Sequence, residues 1–213
     1  MEEVIRRLAA STEEKRVQSR EELTGFAARH DLSDWEGWFH PYDDETYGLV
    51  LRDINDSDTV LDIGAGDLRL ALQMATRARR VYAVEVNPLL VGVALGEIGL
   101  DLPRNLHVIC ANALDVPIPP DVTVAVLLMR HCQHFAAYFD RLQAAGCQRL
   151  ITNVRWKSGL EVIDLTAPRV PFDRVQEGWY ACRCGEIGYV GQGERSEESA
   201  VEVFDCPSCR GSV

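Results

Sequence analysis

Two apolar patterns alternate through the middle of the chain. Short, nearly unbroken apolar runs occur at Val60-Leu61, at Val81-Tyr-Ala-Val84, and at 106–112, 122–129 and 148–155. Such runs suit strands buried on both faces of a sheet. Between them, apolar residues recur at helical spacing. Leu68, Leu70, Ala71 and Met74 form one set, a helix over 89–99 opens with Pro88, and another covers 135–145. The alternation predicts an α/β fold with a mostly parallel sheet flanked by helices. Ahead of it, residues 2–30 read as helical, with stripes at Val4, Ile5, Leu8 and at Leu23, Phe26, Ala27. Ser11, with Glu14 three residues on, has the form of a helix start. Either Asp43 or Asp44 can cap a helix over 46–53. Residues 160–165 and 178–182 are candidates for a sixth and a seventh strand.

The junction between the first strand and the first helix carries the chemistry. Val60-Leu61 ends in Asp62, Gly64 and Gly66 follow, and the helical pattern starts at once. Glycines here let backbone approach a ligand with no Cβ in the way. The second strand ends in Glu85, 23 residues after Asp62, where an acid suits the two hydroxyls of a ribose. The dinucleotide fingerprint requires a small third residue, and that position is Arg69. The pattern instead resembles motif I of the class I S-adenosylmethionine methyltransferases, D/E-x-G-x-G-x-G. Asp62, Gly64 and Gly66 match it, and Leu68 replaces the last glycine.

The resemblance runs from about Tyr42 to Trp156. It implies a Rossmann-like sheet closed by an antiparallel hairpin, with 160–165 and 178–182 as its candidates. It implies S-adenosylmethionine held by Asp62, Gly64, Ala65, Gly66, Glu85 and Val86, with Asn112 and Ala113 at the adenine amine. Asn112 is equally open to a simple turn role. Tyr42 and Tyr47 stand where family members cover the methionine end of the cofactor.

Seven cysteines change the picture at the C-terminus. Cys182-Arg-Cys184-Gly is followed by Cys206-Pro-Ser-Cys209. Four thiolates in two close pairs satisfy tetrahedral Zn²⁺, although the first pair is one residue short of C-x-x-C. Segments 187–190 and 200–204 are expected to pair as a hairpin around the loop 191–199, giving a zinc-ribbon-like element. Cys110, Cys132 and Cys147 read as single buried thiols. The division expected is a helical segment 1–40, a cofactor-binding domain 41–178 and the ribbon 179–213.

Charge bears on the substrate. The 213 residues carry a net charge of −11, which argues against broad, nonspecific nucleic-acid binding. Arg77, Arg79 and Arg80 form one small basic cluster, read as a solvated helix end. No apolar run spans a membrane, the first residues carry no signal pattern, and a cytoplasmic setting with reduced thiols is expected. After the fourth strand come Met129-Arg-His-Cys-Gln-His134. His131 and His134 are candidate bases, and Asn153 and Trp156, past the fifth strand, are candidate pocket residues. Family members that methylate exocyclic base amines have N/D-P-P-Y after strand four, and this chain does not. The reading is a methyltransferase acting on a macromolecule, protein before RNA, because an acidic chain attracts lysine-rich segments. A non-catalytic S-adenosylmethionine-binding adaptor acting through its ribbon is the alternative. The aromatic stretch Trp35-Glu-Gly-Trp-Phe-His-Pro-Tyr42 suits either base stacking or a small core.

Overall fold

A computed structural model describes residues 1–18, 41–156, 159–192 and 200–210, the side chains of 11–18 and 210 excepted. The expectations for residues 19–40, including the second apolar stripe and Trp35, lie outside the described residues. Six strands form the main sheet: β1 (Thr59–Ile63), β2 (Arg80–Glu85), β3 (Leu106–Cys110), β4 (Val124–Leu127), β5 (Arg149–Thr152) and β6 (Glu161–Asp164). Their spatial order is β3-β2-β1-β4-β5-β6. All pairs are parallel except β5 with β6. Every residue of β1 and β4 is buried; β4 is apolar throughout, whereas β1 also buries Thr59 and Asp62.

The apolar residues of these strands alternate between two cores. On one face Val60, Val124, Val126 and Ile151 meet α1 (Glu2–Gln18), α2 (Asp44–Arg52), α3 (Arg69–Ala75) and α4 (Pro88–Ile98). On the other face Leu61, Ile63, Leu127 and Leu150 meet α5 (Phe135–Ala144) through Phe135, Tyr138, Phe139 and Leu142. Helix starts follow local chemistry. Asp43 Oδ1 accepts the Thr46 N–H at 2.7 Å, so of the two aspartates Asp43 is the cap. Asn87 caps α4 ahead of Pro88. Ser11 does not start a helix, because α1 runs through it. Good helix formers on both sides, Leu8-Ala-Ala10 and Glu13-Glu-Lys-Arg16, outweigh its capping tendency.

A second, three-stranded sheet contains β7 (Gly178–Cys182), β8 (Ile187–Val190) and β9 (Val201–Val203), in the order β8-β7-β9. It corrects two expectations. β7 does not extend the main sheet, which ends at β6 among the described residues. β8 and β9 do not form a hairpin with each other: β7 lies between them, antiparallel to β8 and parallel to β9. The reason is steric and apolar. β7 alone alternates bulky residues on both faces, so it takes the central position. Tyr180 lies over Gly188, where an added Cβ would sit 2.5 Å from its hydroxyl. Val170 bridges to Val203, and the Asp205 carboxylate accepts the Phe172 N–H, so the segment before β7 also joins this unit.

The two sheets are tied together by Arg155, 2% exposed at its side chain. It forms ion pairs with Glu161 of β6 and Glu202 of β9, each at 2.6 Å. A short helix, α6 (Pro207–Arg210), closes the described chain.

Candidate cofactor and metal sites

In this sheet β1, β2 and β3 are laid down in one direction, and the chain then crosses back so that β4 lies on the other side of β1. Such a reversal leaves a crevice outside the carboxyl ends of the two central strands. Gly64 follows β1 and Met129 follows β4, so the crevice lies between them. A Cβ on Gly64 would touch the Met129 thioether at 3.4 Å. Gly64 and Gly66 have φ of +74° and +58°, which only glycine adopts without cost. The turn is pinned at both ends. The N–H groups of Gly64 and Ala65 donate to the Val84 carbonyl at 2.9 and 3.0 Å. Gly66 N–H donates to Glu85 Oε2 at 2.8 Å.

Glu85 is thereby fixed. Its Oε1 accepts the Asn87 N–H at 2.8 Å. Burial pushes its carboxyl upward, against the opposing effect of the Asn87, Gly66 and Val86 N–H groups. A carboxylate offers about four acceptor positions, so with these three N–H groups engaged about one remains for a ligand's hydroxyl. Asp62 is more exposed to penalty. It is 3% exposed, its Oδ2 has no hydrogen-bond partner, and burial with the nearby Glu85 charge raises its pKa to about 7. A carboxyl held this way gains from a cationic ligand.

The crevice continues past Val86 to the loop after β3. Asn112 Oδ1 accepts the Leu114 N–H at 3.0 Å, so the turn role is real and one lone pair of that oxygen is used. Arg141 of α5 clamps the same loop through the carbonyls of Ala113, Leu114 and Val116. Gly64, Glu85, Val86, Asn112 and Ala113 all line one cavity, together with Met129, His134 and Tyr138. Asp62, Ala65 and Gly66 are not among its lining residues, although they belong to the same strand end and turn.

The two histidines separate. His134 lines the cavity and His131 is exposed outside it. Tyr138 reaches the cavity from the inner face of α5 and was not singled out from the sequence. Its helical spacing from Phe135 and Leu142 marks it only as core. Tyr47 is buried near Asp62 and Asp67, and its hydroxyl is pushed up to about 12, mainly by burial. Tyr42 stacks under the Arg130 guanidinium at 5.5 Å. Asn153 lies just beyond β5, 3% exposed, and neither of its amide atoms has a partner. The opposite end of the sheet contrasts with this. There Asp58 takes two hydrogen bonds of 2.9 Å from Arg149, and Arg79 and Arg80 pair with Asp121. The basic cluster is therefore structural, with Arg77 donating to the Leu51 carbonyl.

The four C-terminal cysteines converge. Their sulfurs all lie within 4.8 Å of one another. Cys182–Cys209, Cys184–Cys206 and Cys206–Cys209 are separated by 3.7, 3.6 and 3.7 Å. Those distances exclude disulfides at about 2.05 Å. They match a tetrahedron of thiolates around one ion, since a metal–sulfur bond of about 2.3 Å puts the sulfurs about 3.8 Å apart. Burial raises the Cys182 and Cys184 thiols, which a cation would reverse. The one-residue spacing of the first pair is accommodated by Gly185, at φ +100°. Of the other cysteines, Cys132 and Cys147 are buried as expected. Cys110 is exposed, because β3 is the edge strand.

The fold, glycine turn and strand-end acid match what the resemblance to class I methyltransferases leads one to expect. No family model matches the chain. It is 37% identical over 79 residues to "Probable ribosomal RNA small subunit methyltransferase A" of Methanosphaera stadtmanae, a match covering 36% of this chain and 29% of that protein. The protein of the same name from Methanosarcina mazei is 40% identical over 71 residues, covering 33% and 26%. The matched stretch is thus under a third of the length of those relatives. Among solved structures, the 23S rRNA methyltransferase ErmE superposes with a TM-score of 0.47 at 22% identity, over 52% of this chain and 46% of that one. An RNA methyltransferase from Salinibacter ruber in complex with S-adenosyl-L-homocysteine gives 0.45 at 17%, over 53% and 76%. Among the described residues no helix is long and apolar enough to cross a membrane.

Proposed function

We propose that the chain is an S-adenosylmethionine-dependent methyltransferase acting on RNA. The observation that carries the cofactor is the Gly64–Gly66 turn locked to a buried Glu85 at the mouth of the switch-point crevice. In this reading Glu85 holds a ribose hydroxyl, Asn112 and Ala113 border the adenine, and Met129 covers the turn. Asp62 supplies negative charge behind the glycines. The cofactor brings an electrophilic methyl on a sulfonium. The protein's contribution is to position an acceptor nitrogen or oxygen in line with it and exclude water. His134, on the cavity wall, is placed to take a proton where the acceptor requires it.

The RNA acceptor is supported by the names of the relatives above. It replaces the protein acceptor expected from the acidic charge, which measures long-range attraction and says nothing of what a pocket fits. The non-catalytic adaptor remains as the second reading on one observation: the residues after β4, Leu128-Met-Arg-His131, lack the N/D-P-P-Y of family members that methylate exocyclic base amines. We also infer one structural Zn²⁺ held by Cys182, Cys184, Cys206 and Cys209. With four protein ligands it has no open position and takes no part in methyl transfer.

The test is transfer of labelled methyl from S-adenosylmethionine into cell extract. Label lost to ribonuclease and resistant to protease is expected. Label in protein would overturn the RNA acceptor, and no turnover with intact cofactor binding would favour the adaptor. Glu85→Ala should weaken cofactor binding by about 1–3 kcal/mol in calorimetry.

A further inference from the structure

The loop after β4 has both of its ends on the crevice. Met129 and His134 line the cavity, so the residues between them edge its mouth. Cys132 N–H donates to the Met129 carbonyl at 2.9 Å and closes a turn, with Arg130 and His131 at its two corners. Cys132 is buried, and Arg130 is exposed. The arginine is held by one face. Its guanidinium lies over the Tyr42 ring, 5.5 Å from the centroid. Stacking uses the flat of a guanidinium and leaves the N–H edge available for hydrogen bonds.

Charge sets this arginine apart. Arg79 and Arg80 pair with Asp121, Arg149 with Asp58, Arg155 with Glu161 and Glu202, and Arg183 with Asp140. Arg130 forms neither an ion pair nor a hydrogen bond with any described residue. Asp43 feels its charge weakly. That carboxyl is held below its ordinary range first by hydrogen bonds from Thr46, and least by Arg130. An unmatched guanidinium with one face fixed presents parallel N–H donors in a plane, the geometry that a phosphate accepts. At −11 the chain has little long-range attraction for RNA, so the register of a strand falls to local contacts. We propose that Arg130, backed by Tyr42, binds a phosphate beside the acceptor nucleotide and sets the position of the strand over the crevice. This rests on the RNA reading above and adds the contact that places the strand. Arg130 moves no proton and touches no reacting atom.

The experiment compares the full chain with Arg130→Ala, Arg130→Lys and Arg104→Ala. Arg104 is also exposed and outside any ion pair among the described residues, but it precedes β3, at the end of the parallel sheet away from the crevice. Its variant therefore removes the same charge at a distance. Binding of a mixed-sequence single-stranded RNA of about twenty nucleotides is measured over a salt series. Arg130→Ala should bind about fivefold more weakly near 0.1 M salt, with a slope of log affinity against log salt shallower by about 0.7, the value for one phosphate. Arg130→Lys should keep the parent's slope and lose no more than about threefold, because the charge stays and the fork is lost. Arg104→Ala should match the parent. In methyl transfer to RNA from cell extract, Arg130→Ala should raise KM for RNA about fivefold with kcat within about twofold. Its cofactor affinity by calorimetry should be unchanged. An Arg130→Ala variant with the parent's affinity and slope, equal weakening by Arg104→Ala, or lost cofactor affinity in Arg130→Ala would overturn the site. Label entering RNA alongside any of those results removes only the Arg130 contact. Label entering protein alone would remove the RNA reading itself.

Discussion

Asp62 and Leu68 are the residues where local rules are broken. Asp62 holds its proton to about pH 7 in the fold, against 3.8 ordinarily. The native state binds that extra proton between those values, so its contribution to stability declines as pH rises from about 4 to 7. Asp62→Asn should therefore flatten the loss of stability between pH 5 and 8 in urea melts. The parent should lose at least about 1 kcal/mol more than the variant over that range. The same substitution should weaken cofactor binding at pH 8, where the parent carries the charge. A variant with unchanged pH dependence would show that Asp62 does not titrate in this window. Leu68 sits at φ 67°, a left-handed conformation, with its side chain fully buried. The backbone costs about 1–2 kcal/mol there, and burial of the side chain offsets it. Leu68→Ala loses the packing and keeps the strain, about 2–4 kcal/mol. Leu68→Gly loses slightly more packing but relieves the strain, and should be at least as stable as the alanine variant. A glycine variant clearly less stable would mean the strain is small.

At the scale of elements, one buried side chain bridges β6 and β9. Arg155 is buried between Glu161 and Glu202. Burial raises the Glu161 carboxyl, and the Arg155 guanidinium opposes it, helped by a hydrogen bond from the Trp156 side chain. Arg155→Met leaves Glu161 without its cation and Glu202 with only the longer pair to Arg169 at 3.6 Å. It should cost about 2–4 kcal/mol, less than a fully buried pair because the glutamates are partly exposed. Replacing both glutamates as well as the arginine should recover much of the loss. The comparison is a set of denaturant melts, with limited proteolysis between β6 and β7 as a second readout. Equal stability of Arg155→Met and the parent would show that apolar contacts alone join the sheets.

For the whole molecule, the cysteine cluster and the cofactor crevice share α5. Gly185, in the turn between the cysteines, sits against Phe135, where an added Cβ would meet the ring at 3.2 Å. Arg183 pairs with Asp140 at 2.8 Å, and Arg169 lies over the Phe139 ring at 4.5 Å. The inward side of the same helix region presents His134 and Tyr138 to the crevice. Purified protein is expected to hold one zinc per chain. Chelation or Cys206→Ser should remove it, expose the small sheet to protease, and weaken cofactor binding a few-fold through α5. Zinc content near zero under reducing conditions, or a small sheet equally resistant without metal, would count against the site. Cofactor affinity that ignores metal loss would show that α5 holds its place unaided.

The sequence by itself determined the five parallel strands of the main sheet, the glycine turn, Glu85 as the acid facing it, and the four cysteines as one cluster. All of these are local: apolar runs buried on both faces, positive-φ glycines, and ligands close in the chain. Tertiary structure decided the rest. It separated His134 from His131, since helix-start residues three apart can face the crevice or the solvent. It brought Tyr138 to the cavity although its spacing reads as core. It put β7 at the centre of a second sheet, because strand pairing depends on which long-range partners fit its two faces. It left Asp62 and Asn153 buried without partners, a property of what surrounds a residue and not of the residue. Trp156, Trp179 and Tyr189 are the same case: their rings meet only once β8 pairs with β7 and the segment after β5 reaches Trp179.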